Sequence, residues 1–246
     1  MKNFLNKIRT VFRMAGIVAV TLEYTVKSTI TMSGRPNPDK YYRQARQWSN
    51  KLLRAAGVRV ETIGGDKLNP DNTYIYAANH SSLFDIPAAF FGIPDDVRII
   101  YKKELEKIPL FGGGLRKSPY IAVDRSNPRE AMKSMDEAIA RAREGDSVVV
   151  FPEGTRSETG EVQPFKRGAF MLAARAGKPI VPVTIVGASD IMPAGTFNMR
   201  GGTIRVIIGD PIELPADMDK PAEQKIMHEV HEKIVMTLGA AKKSQK

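Results

Sequence analysis

Along the first stretch of the chain, apolar side chains return at steps of three and four: Phe4, Ile8, Val11, Phe12, Ala15, Val18, Ala19, Leu22 and Val26. That spacing predicts a helix carrying one apolar stripe, with Lys2, Asn6, Arg9 and Arg13 on the opposite side. Between Met14 and Val20 even the far side turns apolar, through Ile17 and Val20. The uninterrupted apolar run from Met14 to Leu22 is nine residues, well short of the roughly 20 that a spanning helix needs. A basic flank before a short apolar run also has signal-peptide character, but Leu22-Glu23-Tyr24 offers no small-residue cleavage site. Ser33-Gly34-Arg35-Pro36-Asn37-Pro38 breaks the pattern. A second helix is predicted from Asp39 to about Ala56, with Tyr42, Ala45, Trp48, Leu52 and Leu53 inward and Arg43, Arg46, Lys51 and Arg54 on its basic surface.

From Val58 onward, short β-rich runs alternate with helical stretches. The strands are predicted at 58–63, 73–78, 97–101, 120–123, 147–151, 180–186 and 203–208, and the helices at about 83–91, 104–116, 128–144, 166–177 and 221–239. The helix over 128–144 is the best marked. Asn127 caps it, Pro128 opens it, Glu130 stands in its first turn, and Met132, Met135 and Ile139 face inward. This alternation predicts an α/β fold with a mostly parallel central sheet of about seven strands flanked by helices. The organisation expected is a two-helix segment over residues 1–57 followed by an α/β domain over 58–246.

Charge changes the picture of the N-terminal segment. The chain of 246 residues has a formal net charge of +10 and no Cys. Residues 1–59 hold twelve Lys/Arg and two acids, Glu23 and Asp39, so the whole excess sits in the first quarter and the remainder is balanced. A basic amphipathic helix pair of this kind fits the headgroup region of an anionic membrane. The competing description is a helical hairpin packed on the body with a solvated basic face. Nucleic acid is a poor match, because no aromatic-glycine RNA motif, finger spacing or recognition helix is present. Absent Cys excludes a disulfide scaffold and a thiolate metal site, and no carboxylate–histidine spacing suggests another metal or a cofactor.

The residues suited to chemistry share one placement, the C-terminal ends of predicted strands. Asn79-His80 follows the second, Lys102-Lys103 the third, Asp124-Arg125 the fourth, and Pro152-Glu153-Gly154-Thr155-Arg156 the fifth. In an open parallel sheet ligands bind outside those ends, so four polar clusters are expected to converge on one rim. If Ser82 caps the following helix, Asp85 is its third residue and folds back toward His80. A carboxylate on one imidazole nitrogen fixes the tautomer and leaves the other basic. The same Asp would also serve as ordinary helix capping. Gly154 permits close backbone approach, so N–H groups around Glu153, Gly154 and Thr155 are candidates to face an oxyanion or phosphate. Lys103, Arg125 and Arg156 are candidate phosphate clamps. His228 and His231, on the C-terminal helix, have no matching partner and are expected at the surface.

These residues make the chain resemble the glycerolipid acyltransferases, specifically the bacterial 1-acyl-sn-glycerol-3-phosphate (lysophosphatidic acid) acyltransferases. The family signature Asn-His-x-x-x-x-Asp is met by Asn79, His80 and Asp85, and Phe-Pro-Glu-Gly-Thr-Arg-Ser is met at 151–157, followed by Phe165, Lys166 and Gly168. Lys102-Lys103-Glu104-Leu105 with Pro109 and Gly112, and Val181-Pro182-Val183, match further elements. The block ending in Asp124-Arg125 has Pro119 where a Gly is common. The resemblance spans roughly residues 58–210. It implies direct acyl transfer, without a cofactor, from acyl-carrier protein or acyl-CoA to the sn-2 hydroxyl of lysophosphatidic acid. In that reading His80 is the general base, Asp85 its orienter, and Lys103, Arg125 and Arg156 bind the acceptor's phosphate. It also implies peripheral or monotopic residence at the cytoplasmic face of a bacterial inner membrane. No nucleophile elbow Gly-x-Ser-x-Gly is present, so Ser81 and Ser82 are the only candidates beside His80 for a covalent acyl-enzyme. The alternatives are glycerol-3-phosphate or another lysolipid as acceptor, a hydrolase using His80 and Asp85, and a membrane-docking module without turnover.

Overall fold

A computed structural model describes residues 2–33, 37–109, 111–124, 126–215 and 218–244, with side chains from Asn6 onward. Its centre is a seven-stranded sheet built from β1 (Val58–Ile63), β2 (Ile75–Ala78), β3 (Val97–Lys102), β4 (Ile121–Val123), β5 (Ser147–Val150), β6 (Ile180–Val186) and β7 (Gly202–Ile208). The strand order is β1-β7-β6-β2-β5-β3-β4. Every neighbouring pair is parallel except β6 with β7. The central strand β2 is buried at all four residues, as a strand covered on both faces must be. Alternation splits it between two cores. Tyr76 and Ala78 join Val149 and Val181 on one face, and Ile75 and Ala77 join Val148 and Ile180 on the other.

The first of these faces is covered by α2 (Pro38–Ala56) and α3 (Asp85–Gly92), the second by α5 (Pro128–Arg143), α6 (Gly168–Ala176) and α8 (Lys220–Lys243). The breaker between the two N-terminal helices ends in a cap, where the Asn37 side chain accepts from Lys40 N–H ahead of Pro38 at the first helical position. Helix α2 locks to the body through Arg46, which donates to the Ile93 and Pro94 carbonyls, and through Trp48 edge-on to Phe90. Tyr41, which the sequence pattern left out of the inward set, is buried edge-on to Tyr120.

The first helix, α1 (Lys2–Thr31), is thirty residues long. Its inner side makes both apolar and polar contacts: Met14, Ile17 and Val20 pack on the core, Thr21 accepts from the Trp48 indole N–H, and Thr31 accepts from Gln44. The apolar stripe faces outward. Phe12 is 74% exposed, Val18 51% and Ile30 67%, with Ile8, Val11, Leu22 and Val26 beside them. The turn from Met14 to Val20 is apolar all round because one side meets the core and the other faces out. Among the described residues no helix is long and apolar enough to cross a membrane.

Two sequence expectations are corrected. The helix predicted over 104–116 is split into a 3₁₀ turn, Lys103–Lys107, and α4 (Phe111–Arg116), because Pro109 lacks an N–H and disfavours helical Ile108. Ser82 does not cap α3, which begins at Asp85. Its hydroxyl is instead committed to the Met192 carbonyl, to which it donates at 2.7 Å, while accepting from Phe84 N–H.

The end of β1 is tightly held. Gly64 has φ +81°, and a Cβ there would lie 2.3 Å from the Ile208 carbonyl oxygen. Gly64→Ala is therefore expected to cost about 2 kcal/mol and to lower the denaturant midpoint at unchanged slope. An unchanged midpoint would mean that β1 is not held against β7 there.

Candidate active site

The strand order brings the predicted clusters together. Strands β2, β5, β3 and β4 are consecutive and parallel, so His80, the 151–157 loop, Lys103 and Asp124 leave the same edge of the sheet side by side. Arg125 lies outside the described residues. At the head of this rim, the turn after β2 folds on the Asp85 carboxylate. Asp85 Oδ2 accepts from His80 Nδ1 at 2.7 Å, from Ser81 N–H at 2.6 Å and from Ser82 N–H at 2.8 Å. Asp85 is fully buried, and Oδ1 has no hydrogen-bond partner among the described residues. A buried carboxylate is costly unless hydrogen-bonded. Three donors on one oxygen offset that cost and, in doing so, specify the turn.

With Nδ1 given to Asp85, the imidazole carries its ring proton there and presents Nε2 as a lone pair. Nε2 has no hydrogen-bond partner among the described residues. The ring is held flat by Phe151, whose ring stacks on it with centroids 4.2 Å apart and planes at 25°. In the sequence Phe151 stands only as the first residue of the Phe-Pro-Glu-Gly-Thr-Arg-Ser signature, with no task of its own assigned to it. Asn79 has a structural task as well: its side chain donates to the Ile185 carbonyl at 3.0 Å and accepts from Ile185 N–H at 2.7 Å, pinning the turn to β6.

The loop after β5 is tied to the same turn. Glu153 is buried. Its carboxylate accepts from His80 N–H at 2.6 Å and from Gln163 N–H at 3.0 Å, and Ser157 N–H donates to the His80 carbonyl at 2.7 Å. The Glu153 side chain thus points inward as a brace, not outward to the rim. Gly154 has φ +77°, which only glycine adopts without strain, and a Cβ there would lie 2.8 Å from Lys166 Nζ. The N–H of Gly154 donates to the Phe151 carbonyl, which removes it from the candidate oxyanion donors. Those of Glu153, Thr155 and Arg156 carry no hydrogen bond among the described residues.

The cations are less tightly organised. Arg156 is half-buried, Lys103 is exposed on its 3₁₀ turn, and neither makes a hydrogen bond or ion pair among the described residues. Two solvated cations at the rim cost little to leave unpaired and are available to an anion. The Asp124 carboxyl sits below the usual carboxylate range, chiefly because the Ser126 hydroxyl and N–H donate to it, with Lys103 a weaker cause. Among the described residues no three His, Asp or Glu side chains gather to hold a metal. His228 is exposed, whereas His231 is half-buried against the edge of the Phe165 ring.

A family model described as Acyltransferase matches residues 59–186. A chloroplastic 1-acyl-sn-glycerol-3-phosphate acyltransferase of Brassica napus is 31% identical over 208 residues, covering 81% of this chain and 59% of that one. A 1-acyl-sn-glycerol-3-phosphate acyltransferase of Pseudomonas aeruginosa is 34% identical over 168 residues, covering 66% of this chain and 62% of that one. The chain spans 50 to 59% of the length of the Brassica, Chlamydomonas and Arabidopsis relatives. A crystal structure of the 1-acyl-sn-glycerophosphate (LPA) acyltransferase PlsC of Thermotoga maritima superposes with a TM-score of 0.83 at 24% identity over 98% of both chains, a likeness of fold.

Burial pushes the Glu153 carboxyl up to about 7, against the pull of the two N–H donors. An acid whose folded pKa stands above its unfolded value holds its proton more tightly when folded. Stability is then lost as pH rises from the ordinary carboxylate range toward about 7. In melts across that window, wild type is expected to lose stability relative to Glu153→Gln as pH rises. Parallel pH profiles would show that Glu153 does not titrate there.

Proposed function

The chain belongs to the acyltransferase family, and on that premise we propose that it transfers an acyl chain from an acyl thioester to the sn-2 hydroxyl of lysophosphatidic acid, yielding phosphatidic acid. The observation that carries this reading is the His80 Nδ1–Asp85 contact of 2.7 Å, which leaves Nε2 to act as a base. Nε2 removes the hydroxyl proton while the acceptor oxygen attacks the thioester carbonyl carbon. The tetrahedral oxyanion collapses, the C–S bond breaks, and the leaving thiolate takes the proton back from Nε2. Asp85 offsets the imidazolium charge in between. The main-chain N–H groups of Glu153, Thr155 and Arg156 are the donors left to the oxyanion. Lys103 and Arg156, with Arg125, bind the acceptor's phosphate.

Direct transfer is favoured over a covalent acyl-enzyme by the two serines beside His80. Both are buried, and the Ser82 hydroxyl is spent on the Met192 carbonyl. Acyl-carrier protein and acyl-CoA both present the required thioester.

The outward stripe of α1 supports the reading of residues 1–57 as a membrane-association segment. From Ile8 to Ile30 it runs about 33 Å, too polar behind to span and too apolar in front to stay in water. Burial of a Val, Leu, Ile or Phe side chain contributes roughly 1.5–3 kcal/mol. Even partial immersion of this face, with Lys7 and Arg9 exposed beside it, therefore favours an anionic bilayer. The protein would then reside on that surface, at the cytoplasmic face of a bacterial inner membrane, where a lysolipid acceptor is dissolved.

His80→Ala is expected to lose at least about 10²-fold in kcat. The assay uses anionic vesicles, lysophosphatidic acid against glycerol-3-phosphate, and acyl-CoA against acyl-carrier protein. Near wild-type turnover sinks the base assignment; faster acylation of glycerol-3-phosphate moves the acceptor; thioester loss without any acceptor makes the protein a hydrolase. Replacing Phe12 and Val18 together by Asp is expected to weaken vesicle binding on the order of a hundredfold with an unchanged melting midpoint. Undiminished binding contradicts the membrane role of α1.

A further inference from the structure

We infer that the loop between α7 (Ala188–Ile191) and β7 is a second membrane anchor, with Phe197 at its tip entering the same anionic bilayer as α1. This rests on the membrane reading of α1 but adds an insertion point that lies nearly two hundred residues away in the chain.

The loop closes on itself at its base, where Arg200 N–H donates to the Ile191 carbonyl at 2.8 Å. Met192 and Met199 are buried on either side of that closure, and everything between them stands out from the body. Phe197 is 71% exposed at that outer end. A lone exposed aromatic is ordinary; three features separate this one from that case.

First, the loop is fastened to α1. Thr10 Oγ1 donates to the Met199 carbonyl at 3.2 Å, and the Arg13 guanidinium reaches the same oxygen at 3.5 Å. Phe197 therefore stands two residues from the point where the helix carrying the exposed Val11 and Phe12 is held. Second, the charge on the loop has one sign. The segment 191–202 contains no acid, while Arg200 on it and Arg9, beside the tethering Thr10 on α1, are exposed. An aromatic at an apolar edge framed by arginines complements the interface of an anionic bilayer. A protein partner would leave these arginines to be matched by acids of its own. Third, the inner end of the loop touches the catalytic turn, since Met192 supplies the carbonyl that the Ser82 hydroxyl binds. A loop seated in lipid at one end and on the His80 turn at the other would hold the site at a fixed depth relative to its lipid acceptor.

The chain has no Cys, so single cysteines can be placed at Phe197, Val18 and Met236, each exposed, and labelled with a polarity-sensitive fluorophore. Met236 lies on α8, which covers the opposite face of the sheet. Phosphatidylglycerol–phosphatidylcholine vesicles should shift the labels at Phe197 and Val18 to the blue and leave that at Met236 unchanged. A shift at Val18 with none at Phe197 overturns this inference and leaves the role of α1 standing. No shift at either overturns both. A label at Phe197 that turns apolar without vesicles, as protein concentration rises, assigns the tip to a second copy of the chain and also overturns it. Phe197→Ser should bind the same vesicles on the order of tenfold more weakly at an unchanged melting midpoint; equal binding contradicts the assignment.

Discussion

A single buried carboxylate organises this molecule's chemistry. Asp85 has no exposed surface, and a charge in that position must be compensated by donors fixed in place. It gathers two main-chain N–H groups and the His80 ring onto one oxygen, so the turn after β2 has one way to fold. Four further side chains and main-chain groups hold that turn. Asn79 ties it to β6, Glu153 and Ser157 tie it to the loop after β5, and Phe151 stacks on the imidazole face. These restraints come from three different strands, which only the parallel order of the central sheet places side by side.

Under the proposed function, two surfaces of the protein would divide the work of meeting a lipid. The sheet edge offers a base and solvated cations, while α1 and the loop beyond α7 offer apolar surface framed by arginines. The hydrogen bond from Ser82 to Met192 and those from Thr10 and Arg13 to Met199 run between these regions. The chain from Met192 to Met199 thus joins the His80 turn to α1 through local contacts alone.

Much of this was legible in the residues because periodicity and burial obey the same rule. The strands at 58–63 and 180–186 have the bounds that the pattern predicts: β6 is a near-continuous apolar run buried at every residue, and β1 is a short β-rich run at the edge of the sheet. The placement of four polar clusters at strand ends was equally readable. Long-range choices were not. Nothing local says that the Glu153 side chain turns inward to His80 N–H, since a carboxylate beside a glycine reads as a rim residue until its donors are known. The split at Pro109 was visible in principle but was outweighed by the helical spacing around it. The α1 stripe was ambiguous from its spacing alone, because one face of an amphipathic helix looks the same whether it meets a core or a membrane; only the basic excess of residues 1–59 pointed outward. The Phe197 loop, with no periodicity and no motif, gave no sign.

The central claim is that buried Asp85 fixes the His80 tautomer and so makes Nε2 the base. Long-range nitrogen–proton NMR of the imidazole tests it most directly, because it identifies which ring nitrogen carries the proton. The prediction is a protonated Nδ1 and a bare Nε2 in the resting protein, with that preference lost in Asp85→Asn. A proton on Nε2 in the wild-type protein, or the same tautomer balance with and without the carboxylate, would contradict the account.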